Sequence, residues 1–116
     1  MNDLELKYFG RMTDPDGGAY TKGVCGDEME FFIFVKDKII TDVKFYTEGC
    51  EHTKLCGEAT AKFVMGKSIE EAMRISPRYI QDSIKDLPLD HVHCLILSTI
   101  TFLKALADYL YEIDLG

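Results

Sequence analysis

The sequence predicts an α+β fold in which a small antiparallel sheet of about three strands packs against helices. Residues 29–36 alternate in polarity and residues 39–47 are rich in β-branched and aromatic side chains, and both patterns are typical of strands. Only Asp37 and Lys38 separate the two segments, so we expect a β-hairpin with a tight turn. After Cys50 the apolar residues recur at intervals of three and four, which indicates helices.

The composition is that of an ordinary soluble globular protein, and we expect a single domain over residues 1–116. Hydrophobic residues make up 47% and charged residues 28% of the chain, and no apolar run approaches the roughly 20 residues that cross a membrane. The N-terminus carries Asp3 and Glu5 where a secretory signal needs a basic start. We therefore expect a cytoplasmic protein that binds no membrane.

Charge and cysteine content narrow the classes of partner. Thirteen basic and twenty acidic residues give a formal net charge of -7 at pH 7, and the basic residues are scattered among the acids. A nucleic-acid partner is therefore not expected. In a reducing compartment the four cysteines are expected to be free thiols, metal ligands or catalytic groups rather than disulfides.

The N-terminal part contains an ambiguous segment and a predicted loop. Leu4, Leu6 and Tyr8 alternate with polar residues, which suits either a short strand or a frayed helix. Residues 13–18 are dense in turn formers and are predicted to be a loop. The first hairpin strand, 29–36, is apolar on both faces, so we expect it to be the central strand.

Capping signals delimit the predicted helices. Gly66 follows the first helix as a stop, and the capping box at 68–71 starts a short second one. Pro77 after Ser76 marks the start of a third helix. Leu87-Pro88 breaks the chain before a long final helix, predicted from about residue 91 to residue 111.

Three cysteines stand in short motifs that suit metal-binding thiolates, namely Cys25-Gly26-Asp27, Gly49-Cys50 and His93-Cys94. They are far apart in the chain and can meet only after it has folded. Three thiolates plus Asp27 or His93 suit either tetrahedral zinc or an iron–sulfur cluster, and the residue types do not choose between them. A carboxylate binds the soft iron of a cluster less firmly than a thiolate does, so such a cluster should be labile, as a donor requires.

Each of these thiols has its own local setting. Cys50 closes a strand and opens a helix, where unpaired N–H groups favour a thiolate; its other interpretation is a small residue packed at the corner. Cys94 shares a helical stripe with Ser98, so we expect it on the polar side of the final helix rather than in the core. Cys25 lies in a glycine-containing loop that admits a ligand, or in a turn capped by Asp27.

The remaining cysteine and two histidines carry weaker signals. Cys56 lies six residues after Cys50, about 120° round the helix, and is interpreted as a structural residue. His52, beside Cys50, is a reserve metal ligand, and His91 has no clear role.

Taken together, the motifs resemble the IscU/NifU family of iron–sulfur scaffolds over about residues 23–109. The resemblance rests on Cys25-Gly26-Asp27-Glu28-Met29, on Thr47-Glu48-Gly49-Cys50, on Gly66-Lys67-Ser68, and on Leu87-Pro88 leading to His93-Cys94. It implies a compact two-layer sandwich of the SufE/NifU-like kind, with the sheet packed against helices.

The resemblance also implies a function and a set of site residues. A labile 2Fe-2S cluster would be built with iron and with sulfur from a cysteine desulfurase, and passed to recipient apo-proteins by a scaffold that is not itself an enzyme. An iron donor or electron donor would be a further partner. Cys25, Cys50 and Cys94 match the family's three thiols, Asp27 its aspartate and His93 its histidine. Cys94 is the candidate acceptor of persulfide sulfur.

The chain departs from the family pattern in two places. Where chaperone-dependent members carry Leu-Pro-Pro-Val-Lys, this chain has Leu87-Pro88-Leu89-Asp90-His91. Residues 1–22 form a short variable segment without the usual Asn-Pro-Arg-Asn stretch. The alternative function is a sulfur-transfer partner of a desulfurase that keeps zinc in the same site. Zinc-dependent relatives carry a long insertion between the second and third cysteines, so its absence here favours the scaffold.

Overall fold

The computed structural model describes residues 6–24, 26–84 and 91–115. The predictions for Leu4, Cys25 and Leu87-Pro88 lie outside the described residues. Within the described part, three strands precede four helices. In chain order the elements are β1 (Gly17–Lys22), β2 (Glu28–Lys36), β3 (Ile39–Thr47), α1 (Glu51–Val64), α2 (Ile69–Ala72), α3 (Pro77–Gln81) and α4 (Val92–Leu115).

The central strand of the antiparallel sheet is β2, and the strand order is β1-β2-β3. It pairs with β3 across Asp37 and Lys38, which both have positive φ, 53° and 65°. A two-residue hairpin turn needs such values, because its twist then matches that of the flanking strands. The predicted hairpin and its central strand are confirmed.

The core lies between this sheet and helices α1 and α4, so the fold has two layers. Met29, Phe31 and Ile33 on β2 are completely buried, while the residues between them are only half-buried. The ring centroid of Phe31 lies 5.9 Å from that of Phe45 on β3 and 6.0 Å from that of Phe102 on α4. The α+β prediction is confirmed.

The loop predicted over 13–18 is wrong at its end, because β1 begins at Gly17. Gly17 pairs with Ile33, and a Cβ atom at Gly17 would lie 2.4 Å from the carbonyl oxygen of Ala105. The glycine therefore lets α4 pack directly on the strand, and does not mark a turn here. The neighbouring Gly18 N–H donates to the Asp108 carboxylate at 3.0 Å, which ties the same strand to the same helix.

The N-terminal segment that contains Leu6 and Tyr8, for which the sequence allowed either a short strand or a frayed helix, forms a single bridge beside β3. Phe9 pairs with Phe45 in parallel orientation. The Phe45 N–H donates to the carbonyl of Tyr8 at 2.9 Å, and the Gly10 N–H donates to the carbonyl of Phe45 at 2.8 Å. The described part of this segment therefore contains one bridge residue between bends and forms neither a strand nor a helix.

The capping predictions for the helices are confirmed. Gly66 follows α1 with φ +82°, a value that glycine adopts readily. Ser68 and Glu71 form the complete capping box of α2, and Pro77 is the first residue of α3. The final helix begins at Val92, close to its predicted start, and continues to Leu115, a turn beyond its predicted end.

The orientation predicted for Cys94 is wrong, since the polar stripe of α4 faces the core. Cys94 is 1% exposed and Ser98 and Thr101 are 0% exposed, whereas Ile96 and Ile100 are each 44% exposed. The hydroxyl groups find partners inside the protein, so their burial leaves no orphaned polar atom.

Two hydrogen bonds show how the buried stripe is satisfied. Thr101 Oγ1 donates to the carbonyl of Leu97 at 2.7 Å, within the helix itself. Ser98 Oγ and Thr60 Oγ1 lie 2.8 Å apart and join α4 to α1. Small hydroxyl side chains thus serve as packing residues between the two helices, which polarity patterns along a helix do not reveal.

Helix α4 also corrects the expectation about apolar runs. Residues Val92–Ile113 form a helical stretch of 22 residues that is long and apolar enough to cross a membrane, and 50% of its apolar window is buried inside the protein. The helix packs on β1, β2 and α1. We interpret it as the core helix of the domain.

Candidate metal-binding site

Three of the five predicted ligands converge on the hydroxyl of Thr53. Thr53 Oγ1 donates to Asp27 Oδ2 at 2.6 Å. The same oxygen lies 3.5 Å from Cys50 Sγ and 3.4 Å from Cys94 Sγ. Thr53 itself is completely buried. Residues from three separate parts of the chain therefore place a carboxylate and two sulfurs around one oxygen atom.

The starts of three elements bring these groups together. Asp27 immediately precedes β2, Cys50 is the N-cap of α1, and Cys94 lies in the first turn of α4. Gly49, between β3 and α1, sits against Thr53: a Cβ atom at this position would lie 3.0 Å from the Thr53 side chain. Glycine is therefore the residue that lets the chain turn so close to the buried hydroxyl.

The Cys50 thiol is exposed and its pKa is lowered. Partial burial raises the pKa, but it is outweighed by the Thr53 hydroxyl and by the N–H groups of Thr53 and His52; the Asp27 charge also raises it. The Cys50 side chain does not make a full N-cap hydrogen bond with these N–H groups. They are nevertheless the unpaired donors of a helix start, and they agree with the predicted thiolate character.

Asp27 is positioned by a compact loop before β2. The Gly23 N–H donates to the carbonyl of Asp27 at 2.7 Å, and the Gly26 N–H donates to the carbonyl of Gly23 at 3.0 Å. Gly26 has φ +93°, and Val24 is 98% exposed. Cys25, the third predicted thiol, lies outside the described residues. Its two neighbours belong to this loop at the edge of the site.

The three histidines form a row beside Cys50. The rings of His52 and His91 stack with centroids 3.9 Å apart, and those of His91 and His93 are 6.2 Å apart. The sulfur of Cys50 and ring nitrogens of His52 and His91 all lie within 4.8 Å of one another. The group beside Cys50 therefore contains the two histidines that sequence patterns left without a firm role, while His93, the predicted histidine ligand, has its ring next to that of His91.

Cys56 has the opposite environment, as predicted for a structural residue. It is completely buried in the core, and burial raises the pKa of its thiol to about 12. It stays a neutral thiol at physiological pH.

Thr53 is the site residue that sequence reasoning missed. It follows Cys50 by three residues at a helix start, a spacing that places two side chains on the same face. That spacing was the available signal, but nothing in the sequence shows that Asp27 and Cys94 reach the same oxygen.

Residues 7–114 match the protein family described as the NifU-like N terminal domain. The chain belongs to this family. It is 36% identical over 101 residues to the iron-sulfur cluster assembly scaffold protein IscU 1 of Archaeoglobus fulgidus, a match that covers 86% of this chain and 66% of that protein. It is 37% identical over 86 residues to IscU of Escherichia coli, covering 73% of this chain and 66% of that relative. The chain thus spans slightly less than two thirds of each relative's length.

A solved structure of similar fold supports the same architecture. The crystal structure of a scaffold protein described for the SUF system of Fervidobacterium islandicum superposes with a TM-score of 0.69 over 88% of each chain, at 20% sequence identity. The sandwich that the IscU/NifU resemblance implied is therefore confirmed.

The site of this NifU-like domain has the donor set of a thiophilic metal centre. Two sulfurs and a carboxylate surround Thr53, with imidazoles alongside. Thiolates and imidazoles favour zinc, iron and iron–sulfur clusters, whereas magnesium and calcium prefer sites made of oxygen ligands alone. Cys50 is exposed, so a metal or a sulfur donor can reach the site from solvent.

Proposed function

We propose that this protein is a scaffold on which a labile 2Fe-2S cluster is assembled and from which it is transferred to recipient proteins. The observation that carries the proposal is the convergence of Asp27, Cys50 and Cys94 on Thr53. Membership of the NifU-like family and the names of the relatives support it. The cluster is cargo in this proposal, and the protein acts by holding and releasing it rather than by catalysing a reaction.

The thiolates of Cys25, Cys50 and Cys94 hold the cluster in this proposal, with Asp27 or His93 as the fourth ligand. The Thr53 hydroxyl donates to Asp27 at 2.6 Å, so it competes with iron for the same carboxylate oxygen. A carboxylate is already a weaker partner for cluster iron than a thiolate is. Both effects favour release through the Asp27 side of the site.

Sulfur is supplied by a cysteine desulfurase in this proposal, and Cys94 remains the candidate acceptor. Its thiolate attacks the terminal sulfur of the enzyme's persulfide; a new S–S bond forms, the old one breaks, and the enzyme cysteine leaves as a thiolate. Because Cys94 is 1% exposed, this step requires a local opening of the structure that brings its sulfur to the surface. Mass spectrometry of the persulfide after trypsin digestion tests the assignment, and sulfur found on the exposed Cys50 alone would overturn it.

The further partners are recipient apo-proteins and an iron donor or electron donor. We place all of these partners in a reducing cytoplasm, where the thiols of the site stay available for metal.

Transfer of a cluster to an apo-ferredoxin tests the scaffold function. The protein, loaded anaerobically with iron, sulfide and a desulfurase, should convert the apo-ferredoxin to its holo form. Asp27→Ala should slow this transfer because the proposed release ligand is gone, and Asp82→Ala, which changes an exposed carboxylate immediately after α3, is the matched control. A cluster that forms but never moves to the acceptor would contradict the scaffold function. Transfer by Asp27→Ala at the unaltered rate would remove Asp27 from the release step.

The second candidate function is a zinc-binding persulfide acceptor. The imidazoles of His52 and His91 beside Cys50 favour it, since zinc binds well to mixed sulfur and nitrogen ligands. Zinc that stays bound through desulfurase turnover, with activation of the enzyme and no cluster absorption, would support this function over the scaffold.

A further inference from the structure

The group formed by Cys50, His52 and His91 has the composition of a metal site of its own. Its three ligand atoms lie within 4.8 Å of one another. The contacts that place Asp27, Cys50 and Cys94 together run through the hydroxyl of Thr53, whereas the Cys50–His52–His91 group is defined by its own ligand atoms. The structure thus presents two ligand groups, an inner one around Thr53 and an outer one made of Cys50, His52 and His91, that share a single sulfur.

The outer group is held by the same helix starts that build the inner one. His52 is the second residue of α1, two positions after Cys50, and His91 immediately precedes α4. The two rings stack at 3.9 Å, which fixes them side by side. Cys50 is exposed and both histidines are half-buried, so a hydrated ion can reach the group from solvent.

The spacing of the group is close to what a metal ion requires. Zinc–nitrogen distances near 2.0 Å and zinc–sulfur distances near 2.3 Å place tetrahedral ligand atoms roughly 3.3–3.8 Å apart. The observed upper limit of 4.8 Å falls to that range through modest rotation of the side chains. Two imidazoles and one thiolate leave the fourth position to water, as in metal sites that exchange their ligands.

We propose that Cys50, His52 and His91 form an outer binding site for a divalent first-row ion, zinc or ferrous iron, distinct from the inner ligand group. Imidazole and thiolate ligands select such ions over magnesium and calcium. Binding at the outer site stands independently of the scaffold function.

A second role follows if the scaffold function holds. An ion bound outside keeps the Cys50 sulfur as a ligand while it exchanges the two imidazoles for Asp27 and Cys94. His93, whose ring lies 6.2 Å from that of His91, continues the row of histidines beyond the outer group. In that case the outer site is where iron arrives. This role rests on the proposed function.

Cobalt(II) titration of a protein without the inner group tests the outer site. In Asp27→Ala/Cys94→Ser we expect one Co²⁺ per chain, with both a sulfur-to-metal charge-transfer band and tetrahedral ligand-field bands. Adding His52→Asn and His91→Asn should weaken Co²⁺ binding at least ~10-fold and shift the ligand-field bands. Equal affinity and equal spectra with and without the two histidines would overturn the proposal.

X-ray absorption of the zinc-loaded Asp27→Ala/Cys94→Ser protein provides a measurement that needs no histidine variant. Two imidazole ligands and one sulfur per zinc are expected, and a shell without imidazole would overturn the outer site. Circular dichroism melting checks that each variant is folded before it is titrated.

The failure of this inference is distinguishable from failure of the scaffold function. If the outer site binds Co²⁺ as expected while wild-type protein never assembles a transferable cluster, the scaffold function is wrong and the outer site stands. If cluster assembly succeeds while the Co²⁺ affinity and spectra are the same with and without the two histidines, the outer site is wrong and the scaffold function stands.

Discussion

The start of α1 and the two turns that follow it carry the same chemical groups in opposite roles. Cys50 and Thr53 lie at the helix start, where the thiol is exposed with a lowered pKa and the hydroxyl touches a carboxylate. Cys56 and Thr60 follow within the same helix, where the thiol is a neutral core group and the hydroxyl bonds to Ser98. The difference shows that position relative to the helix start and to solvent, rather than residue type, decides which cysteine can bind metal.

The largest expected difference between these two parts of the helix is in thiol reactivity. Cys50 has a pKa below its ordinary value of 9.0 and Cys56 one of about 12. Because the thiolate is the reactive form, Cys50 should be alkylated at least ~1000-fold faster at neutral pH. A short iodoacetamide pulse on folded protein, with peptide mapping by mass spectrometry, measures both rates. Comparable alkylation rates at Cys50 and Cys56 would contradict the difference in thiolate character between the two cysteines.

Packing should be most sensitive in the second turn of α1. A Cβ atom at Gly57 would lie 2.5 Å from the ring of Phe45, so Gly57→Ala forces that ring to move. We expect the free energy of unfolding to fall by about 1–3 kcal/mol, measured by urea denaturation. Gly18→Ala is the control, since its Cβ atom meets its nearest neighbour at 3.6 Å. If the two variants were equally stable, the tight packing at Gly57 would be disproved.

Alkaline pH should expose the burial of Cys56. Its pKa in the folded protein is raised from 9.0 to about 12, so its contribution to stability is fully present below pH 9 and is lost as pH rises toward 12. At pH 10.5 wild-type protein should have lost about 1–2 kcal/mol more than Cys56→Ala, relative to pH 8. Denaturation at the two pH values gives this difference, and parallel losses in both proteins would contradict it.

The smallest effect expected is on the reactivity of Cys50 itself. Thr53→Val removes a hydroxyl that lowers the Cys50 pKa, so alkylation of Cys50 should move to higher pH. Thr60→Val is the matched control further along the same helix: it should cost about 1 kcal/mol of stability through the lost bond to Ser98 and leave Cys50 unchanged. If the pH dependence of Cys50 alkylation were identical in Thr53→Val and Thr60→Val, the Thr53 hydroxyl would have no part in lowering the Cys50 pKa.

Most of the fold could be predicted because local signals agree with it. The hairpin follows from two residues between two strands, and the capping box at Ser68 and the proline at Pro77 mark helix starts directly. The start of β1 could not be predicted in this way. Gly17 is required by the approach of α4, and that contact joins residues far apart in the chain.

The candidate site was predictable in its residue types but not in its arrangement. Cys50, Cys94 and Asp27 stand in recognisable motifs, and the structure brings them together. The burial of Cys94 was missed because the hydroxyl residues of its stripe look polar in sequence, yet bond within the core. Thr53 and His91 were missed because their neighbours belong to other elements.

Cluster assembly in the paired variants Cys50→Ser and Cys56→Ser tests the central claim most directly. Each variant is reconstituted anaerobically with iron, sulfide and a desulfurase, and the visible absorption of the cluster is recorded against wild-type protein. We predict that absorption disappears in Cys50→Ser and persists in Cys56→Ser when the latter is folded. A full cluster spectrum in Cys50→Ser would contradict the assignment of the first turn of α1 as the metal-binding part of this molecule.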